Sequence, residues 1–78
     1  MDLDYLRALV KATPFVPFRL RLADGTEKAV ARRDFLLLPP FGRRVELYEG
    51  GPEHWTVHVV NLDQVVEIVI EGEPAVAT

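Results

Sequence analysis

The chain has 78 residues, 49% of them hydrophobic, and a formal charge of −3. That length is one domain with a small core, and no apolar run approaches the roughly 20 residues that a transmembrane helix needs. There is no cysteine and no serine, which excludes disulfides, Cys-ligated metal and Cys or Ser nucleophiles.

Charges at Asp2, Asp4, Arg7 and Lys11 break up residues 1–12. They leave no apolar core for a secretory signal, and a cytoplasmic protein is the expectation. Seven Arg against two Lys, with one Asn and one Gln, follow the trend of heat-adapted or GC-rich sequences. All nine Lys and Arg fall within residues 1–44, beside five acids, whereas residues 45–78 hold seven acids and no Lys or Arg. Such a split builds a basic face unless strands from the two halves interleave and mix.

"MDLDYLRALVKA" places Leu3, Leu6, Leu9 and Val10 at helical spacing. Asp2 is suited to N-cap the helix, and Pro14 ends it by pushing Thr13 out of helical geometry. A helix of this length is marginal alone and must bury its Leu stripe. In "PFVP" the two prolines hold the chain extended. Phe15 is then free to pack under the helix, and Phe18 opens a strand with Leu20 and Leu22 on its face. The alternative for this P-x-x-P stretch is a ligand for a partner's aromatic groove, which requires exposed Phe side chains.

"LRLADGTEKAV" reads as a hairpin. A two-residue Asp-Gly turn would set Arg21 opposite Lys28. A three-residue loop, Ala23-Asp24-Gly25 with Gly25 left-handed, instead faces Arg21 with Glu27 and Phe18 with Val30, and is the expected one. "DFLLLPPFG" fits a short, fully buried strand or a crossing segment, stopped by Pro39 and Pro40. "RRVELYEG" turns Val45 and Leu47 inward. "WTVHVV" is expected to turn Trp55, Val57 and Val59 inward and Thr56 and His58 outward. "NLDQ" is a single helical or 3₁₀ turn. "VVEIVIEG" is the last strand, with Val66, Ile68 and Ile70 inward, and residues 73–78 a frayed tail. The expected fold is mainly β with an N-terminal helix over residues 1–72. Its sheet is a small, five-stranded, strongly bent antiparallel sheet or barrel.

The strings "PFVPFRLRLADGTEKAV", "FLLLPPFGRRVELY" and "VHVVNLDQVVEIVIEG" resemble a family of small uncharacterised bacterial proteins, over residues 14–72. That family carries no assigned activity, so the resemblance transfers no functional residue. The order of elements is also similar to that of Sm-like small barrels, which form rings and bind RNA near the pore. The Pro-rich elbow is foreign to them, and no Asp-Gly-Asn type RNA-contact pair stands in place.

His54 and His58 would share one side of a helix, but on a strand they lie about 13 Å apart and cannot share a metal. Glu46, Glu49, Glu67 and Glu71 alternate outward as solvated side chains. No cofactor is implied. The expected function is a non-enzymatic protein-interaction or self-assembling module. Its last strand is apolar on both faces, and Val65 and Val69 on the outer one are the candidate contacts of a homodimer or small ring. The alternative is binding of RNA or another polyanion through Arg19, Arg21, Arg32, Arg33, Arg43 and Arg44.

Overall fold

The computed structural model describes residues 1–72, so the expected tail at residues 73–78 lies outside the described residues. The chain runs through helix α1 (Leu3–Lys11) and strands β1 (Phe18–Leu22), β2 (Glu27–Val30), β3 (Leu36–Leu37), β4 (Arg44–Gly50), β5 (Trp55–Asn61) and β6 (Val65–Ile70). Single 3₁₀ turns at Arg33–Phe35 and Leu62–Gln64 precede β3 and β6. The strands form two antiparallel three-stranded sheets, β2-β1-β6 and β3-β4-β5. This corrects two expectations. Among the described residues there are six strands rather than five, because Leu36–Leu37, in the stretch expected as a strand or a crossing segment, pairs with β4 as a strand of its own. The barrel does not close, because neither sheet pairs with the other.

Asp2 caps α1, its carboxylate accepting from the Asp4 N–H at 2.9 Å. Leu6 is fully buried, and Leu3, Leu9 and Val10 pack against the core from its rim. The Thr13–Pro14 peptide is cis. Phe15 then drops into the interior beside Phe18, ring centroids 6.0 Å apart. Both rings are buried and unavailable to a partner's groove. Leu20, Val30, Leu36, Val45, Leu47, Val60 and Leu62 complete the core between the sheets.

The first hairpin has the expected register, Phe18 against Val30 and Arg21 against Glu27. Gly25 is left-handed at φ +90°, and its N–H donates to the Leu22 carbonyl at 2.9 Å. Asp24 accepts from the Thr26 hydroxyl at 2.7 Å and from the Thr26 N–H at 2.9 Å. The Thr26 hydroxyl first, then its N–H, holds the Asp24 carboxyl below its ordinary value.

The β4–β5 hairpin carries the largest correction. Val45 pairs with Val60, Leu47 with His58, and Gly50 with Trp55. Residues opposite one another share a face, so Val60, His58 and Thr56 turn inward and Trp55, Val57 and Val59 turn outward. This reverses the expected orientation. Trp55 is 60% exposed and Val59 64%.

A second reversal affects β6. Arg21 pairs with Glu67 but Leu22 with Val65, so Val66 is the extra residue of a bulge. Val65 therefore faces the core with Leu22, while Val66 is exposed rather than inward. Phe41, between the Pro pair and β4, is also exposed.

Two outcomes follow. Gly50 sits at φ +104°, and a Cβ there would lie 2.4 Å from the His54 carbonyl oxygen. Gly50→Ala should therefore lower stability by about 1–3 kcal/mol, measured as a fall in the urea midpoint. The lowered Asp24 pKa makes its stabilising contribution complete above the ordinary aspartate range, and the contribution disappears as pH falls through the lowered value. The melting-temperature gap between the unmutated protein and Asp24→Ala should thus be present at neutral pH and vanish in acid.

Candidate interaction face

The six arginines do not gather into one basic face. Arg19 and Arg21 stand on the outer side of β1 between two carboxylate-bearing strands. Arg21 pairs with Glu67 at 2.8 Å and Glu27 at 3.2 Å, and Arg19 with Glu71 and, at 3.7 Å, Glu27. Arg32 lies 3.6 Å from Asp34 and over the Phe35 ring. Arg33 donates to the Ala12 carbonyl at 2.8 Å and lies over the Phe15 ring, holding the end of α1. Arg43 joins Asp63 at 2.7 Å to the Met1 carbonyl at 2.9 Å. Of the six, Arg44 alone has neither an ion pair nor such a tie among the described residues. Exposed ion pairs add little stability, but they cancel the field that a polyanion would follow.

The carboxylates divide. Glu67 and Glu71 belong to the arginine ladder of sheet β2-β1-β6, and Glu46 accepts from the Tyr48 hydroxyl at 3.3 Å. Glu49 differs from expectation, because it shares the inward face of β4 with Leu47, beyond the apolar core, and bonds His58 Nε2. His54 stays in the turn, its backbone carbonyl accepting from the Gly51 N–H at 3.0 Å. Among the described residues no group of three or more His, Cys, Asp or Glu side chains is placed to hold a metal ion.

The two valines of the last strand do not form one patch. Val65 is only 5% exposed and belongs to the core. Val69 is half-buried opposite Arg19, beside Pro17 and Ala29.

The outer faces of the two sheets differ in kind. Sheet β2-β1-β6 shows solvent its arginine–glutamate ladder. Sheet β3-β4-β5 shows Leu37, Tyr48, Trp55, Val57 and Val59. Leu37 and Val59 flank Glu46 in one cross-strand row, and Tyr48 pairs with Val57 in the next. The Tyr48 and Trp55 rings lie 6.0 Å apart. Partial burial and then the Glu46 charge raise the Tyr48 phenol above its ordinary pKa. Sequence reading missed Leu37, Trp55 and Val59 as surface residues, because an apolar stripe at period 2 looks the same on either face. The available signal was "GGPEH". Pairing Gly51 with His54 around it forces Leu47 opposite His58.

If Trp55 is a surface residue, Trp55→Ala should change stability by less than about 1 kcal/mol, against about 3–5 kcal/mol for a core Trp. Native Trp55 emission in dilute protein should be red-shifted and readily quenched.

No protein-family model matches the chain, and no curated protein or solved structure matches it.

Proposed function

We propose that this protein is a non-enzymatic interaction module that assembles with further copies of itself, using the outer side of sheet β3-β4-β5. The observation that carries this reading is the exposure of Leu37, Trp55 and Val59 on one sheet face, at 53%, 60% and 64%. An isolated exposed apolar residue needs no explanation, but three on β3 and β5, the strands either side of β4, with Val57 and Tyr48 beside Trp55, form a patch of the sort that partners cover. The same chain guards its other sheet with paired charges, so the contrast lies within one molecule.

This moves the contact from the last strand to β5. Taken end to end, the sheets run β6-β1-β2 and β3-β4-β5, with β2 and β3 consecutive in the chain. That succession supports reading the fold as an opened relative of the Sm-like barrel order, and its free strands favour assembly. The RNA reading gains Trp55 and Tyr48 as stacking surfaces. It loses more, because Arg32, the arginine beside them, is paired with Asp34.

Sedimentation at tens of micromolar should give a mass above the monomer. Val59→Lys should return it to monomer with little change in melting temperature, since that side chain is 64% exposed and lies outside the core. A monomeric unmutated protein at that concentration would overturn the reading.

A further inference from the structure

The hydrogen-bonding edge of β5 can be worked out residue by residue. The Gly51 N–H donates to the His54 carbonyl at 3.0 Å, and the Leu62 N–H to the Arg43 carbonyl at 2.6 Å. These bonds close the two ends of the β4–β5 ladder, and hydrogen-bonded pairs alternate along it. The N–H and C=O groups of Thr56, His58 and Val60 therefore turn toward β4. Those of Trp55, Val57 and Val59, and the Asn61 N–H, turn away, toward a side where β5 has no neighbouring strand among the described residues. An open cleft of about 510 Å³ borders Val57–Asn61 there, with Leu22, Thr26 and Lys28 on its far side.

Natural edge strands are guarded by charge, proline, bulges or a covering segment. β5 has seven residues and none of the first three guards: no Asp, Glu, Lys, Arg or Pro, and an unbroken register. We infer that β5 pairs antiparallel with β5 of a second copy, about a two-fold axis at His58. The pairing rests on the self-association proposed above and places its contact at the edge of that sheet, so that the outer faces of the two copies join side by side.

The register follows from the free groups. Antiparallel pairing must match Trp55, Val57, Val59 and Asn61 with the same set in the other copy. Centring on His58 overlaps all seven residues and sets Val57 opposite Val59 and Trp55 opposite Asn61. Any other permitted register loses at least two residues of overlap. The result is a continuous six-stranded sheet, β3-β4-β5 followed by its symmetry mate.

The chemistry favours a second copy over a foreign strand. β5 offers no charge to hold an acidic or basic peptide, and none to repel itself. On the outer face, Val57 and Val59 of each copy come side by side. Trp55 lies in one row with Asn61 and, one strand further, Arg44 of the other copy, which puts a cation on the same face as the exposed indole. A strand-edge contact is at the small end of stable interfaces, which is why it is read at tens of micromolar.

Three variants test the pairing. At the axis the His58 residues form a non-hydrogen-bonded pair with Cα atoms about 4.5 Å apart, within disulfide reach. The chain has no cysteine, so His58→Cys introduces a single thiol. Mild oxidation should link it into a dimer, while Trp55→Cys, whose mate lies about 20 Å away, should stay unlinked. Val57→Pro removes an N–H that no bond among the described residues uses. It should raise the dimer dissociation constant about tenfold or more, because symmetry deletes two hydrogen bonds, with the fold retained by circular dichroism. An oligomer that neither links through His58→Cys nor weakens with Val57→Pro overturns this pairing and leaves self-association standing. Equal linking of both cysteine variants marks random collision and also overturns it. A monomer overturns both.

Discussion

Gly50 and the Gly51–His54 hydrogen bond hold the β4–β5 turn in one geometry, and that geometry decides which residues of β5 are interior. A left-handed residue at position 50, pressed against the His54 carbonyl, leaves room for glycine only. With the turn fixed, Leu47 must face His58 and Val45 must face Val60. A shift by one residue would bury Trp55, Val57 and Val59 and expose Val60. The core would be larger and the molecule would have no apolar outer face. The chemical character of the surface thus follows from a backbone constraint at the tip of one hairpin.

The rest of the chain fills the space that two unjoined sheets leave between them. Leu6 enters from α1 and Phe15 from the elbow, and both are fully buried. The arginines that seemed to offer a basic surface serve this arrangement. Arg7 donates to the Pro39 carbonyl at 2.5 Å, Arg33 to Ala12 at 2.8 Å and Arg43 to Met1 at 2.9 Å. Guanidinium groups suit such ties, because several fixed donors can reach carbonyl oxygens that the ends of helices and loops leave unpaired.

Legibility in the sequence divided along the line between local and non-local information. The first hairpin was readable, since Asp24-Gly25 and the facing of Arg21 with Glu27 select one loop length. So was α1, from its cap and Leu stripe, and so was the burial of Phe15, from two prolines that hold the elbow straight. The inward side of β5 was not, because both of its sides carry valines and only the pairing with β4 breaks the tie. Val66 failed for a related reason: a bulge opposite Arg21 and Leu22 changes the alternation midway along β6, and nothing local announces it. "DFLLLPPFG" left a strand and a crossing segment both open, because only the pairing of Leu36 with Leu47 and Leu37 with Glu46 makes those two residues a strand. The interaction face was invisible for the same cause as the β5 error, so the two corrections are one.

Amide hydrogen exchange along β5 tests the register most directly, because it reads the backbone bonds themselves. In dilute protein the account predicts alternation: slow exchange at Thr56, His58 and Val60, whose N–H groups face β4, and fast exchange at Val57 and Val59, whose N–H groups face the open edge. Raising the protein concentration should slow Val57 and Val59 selectively. Slow exchange at Val57 and Val59 with fast exchange at Thr56 and His58 in the dilute protein would contradict the register, and with it the placement of Trp55 and the interaction face.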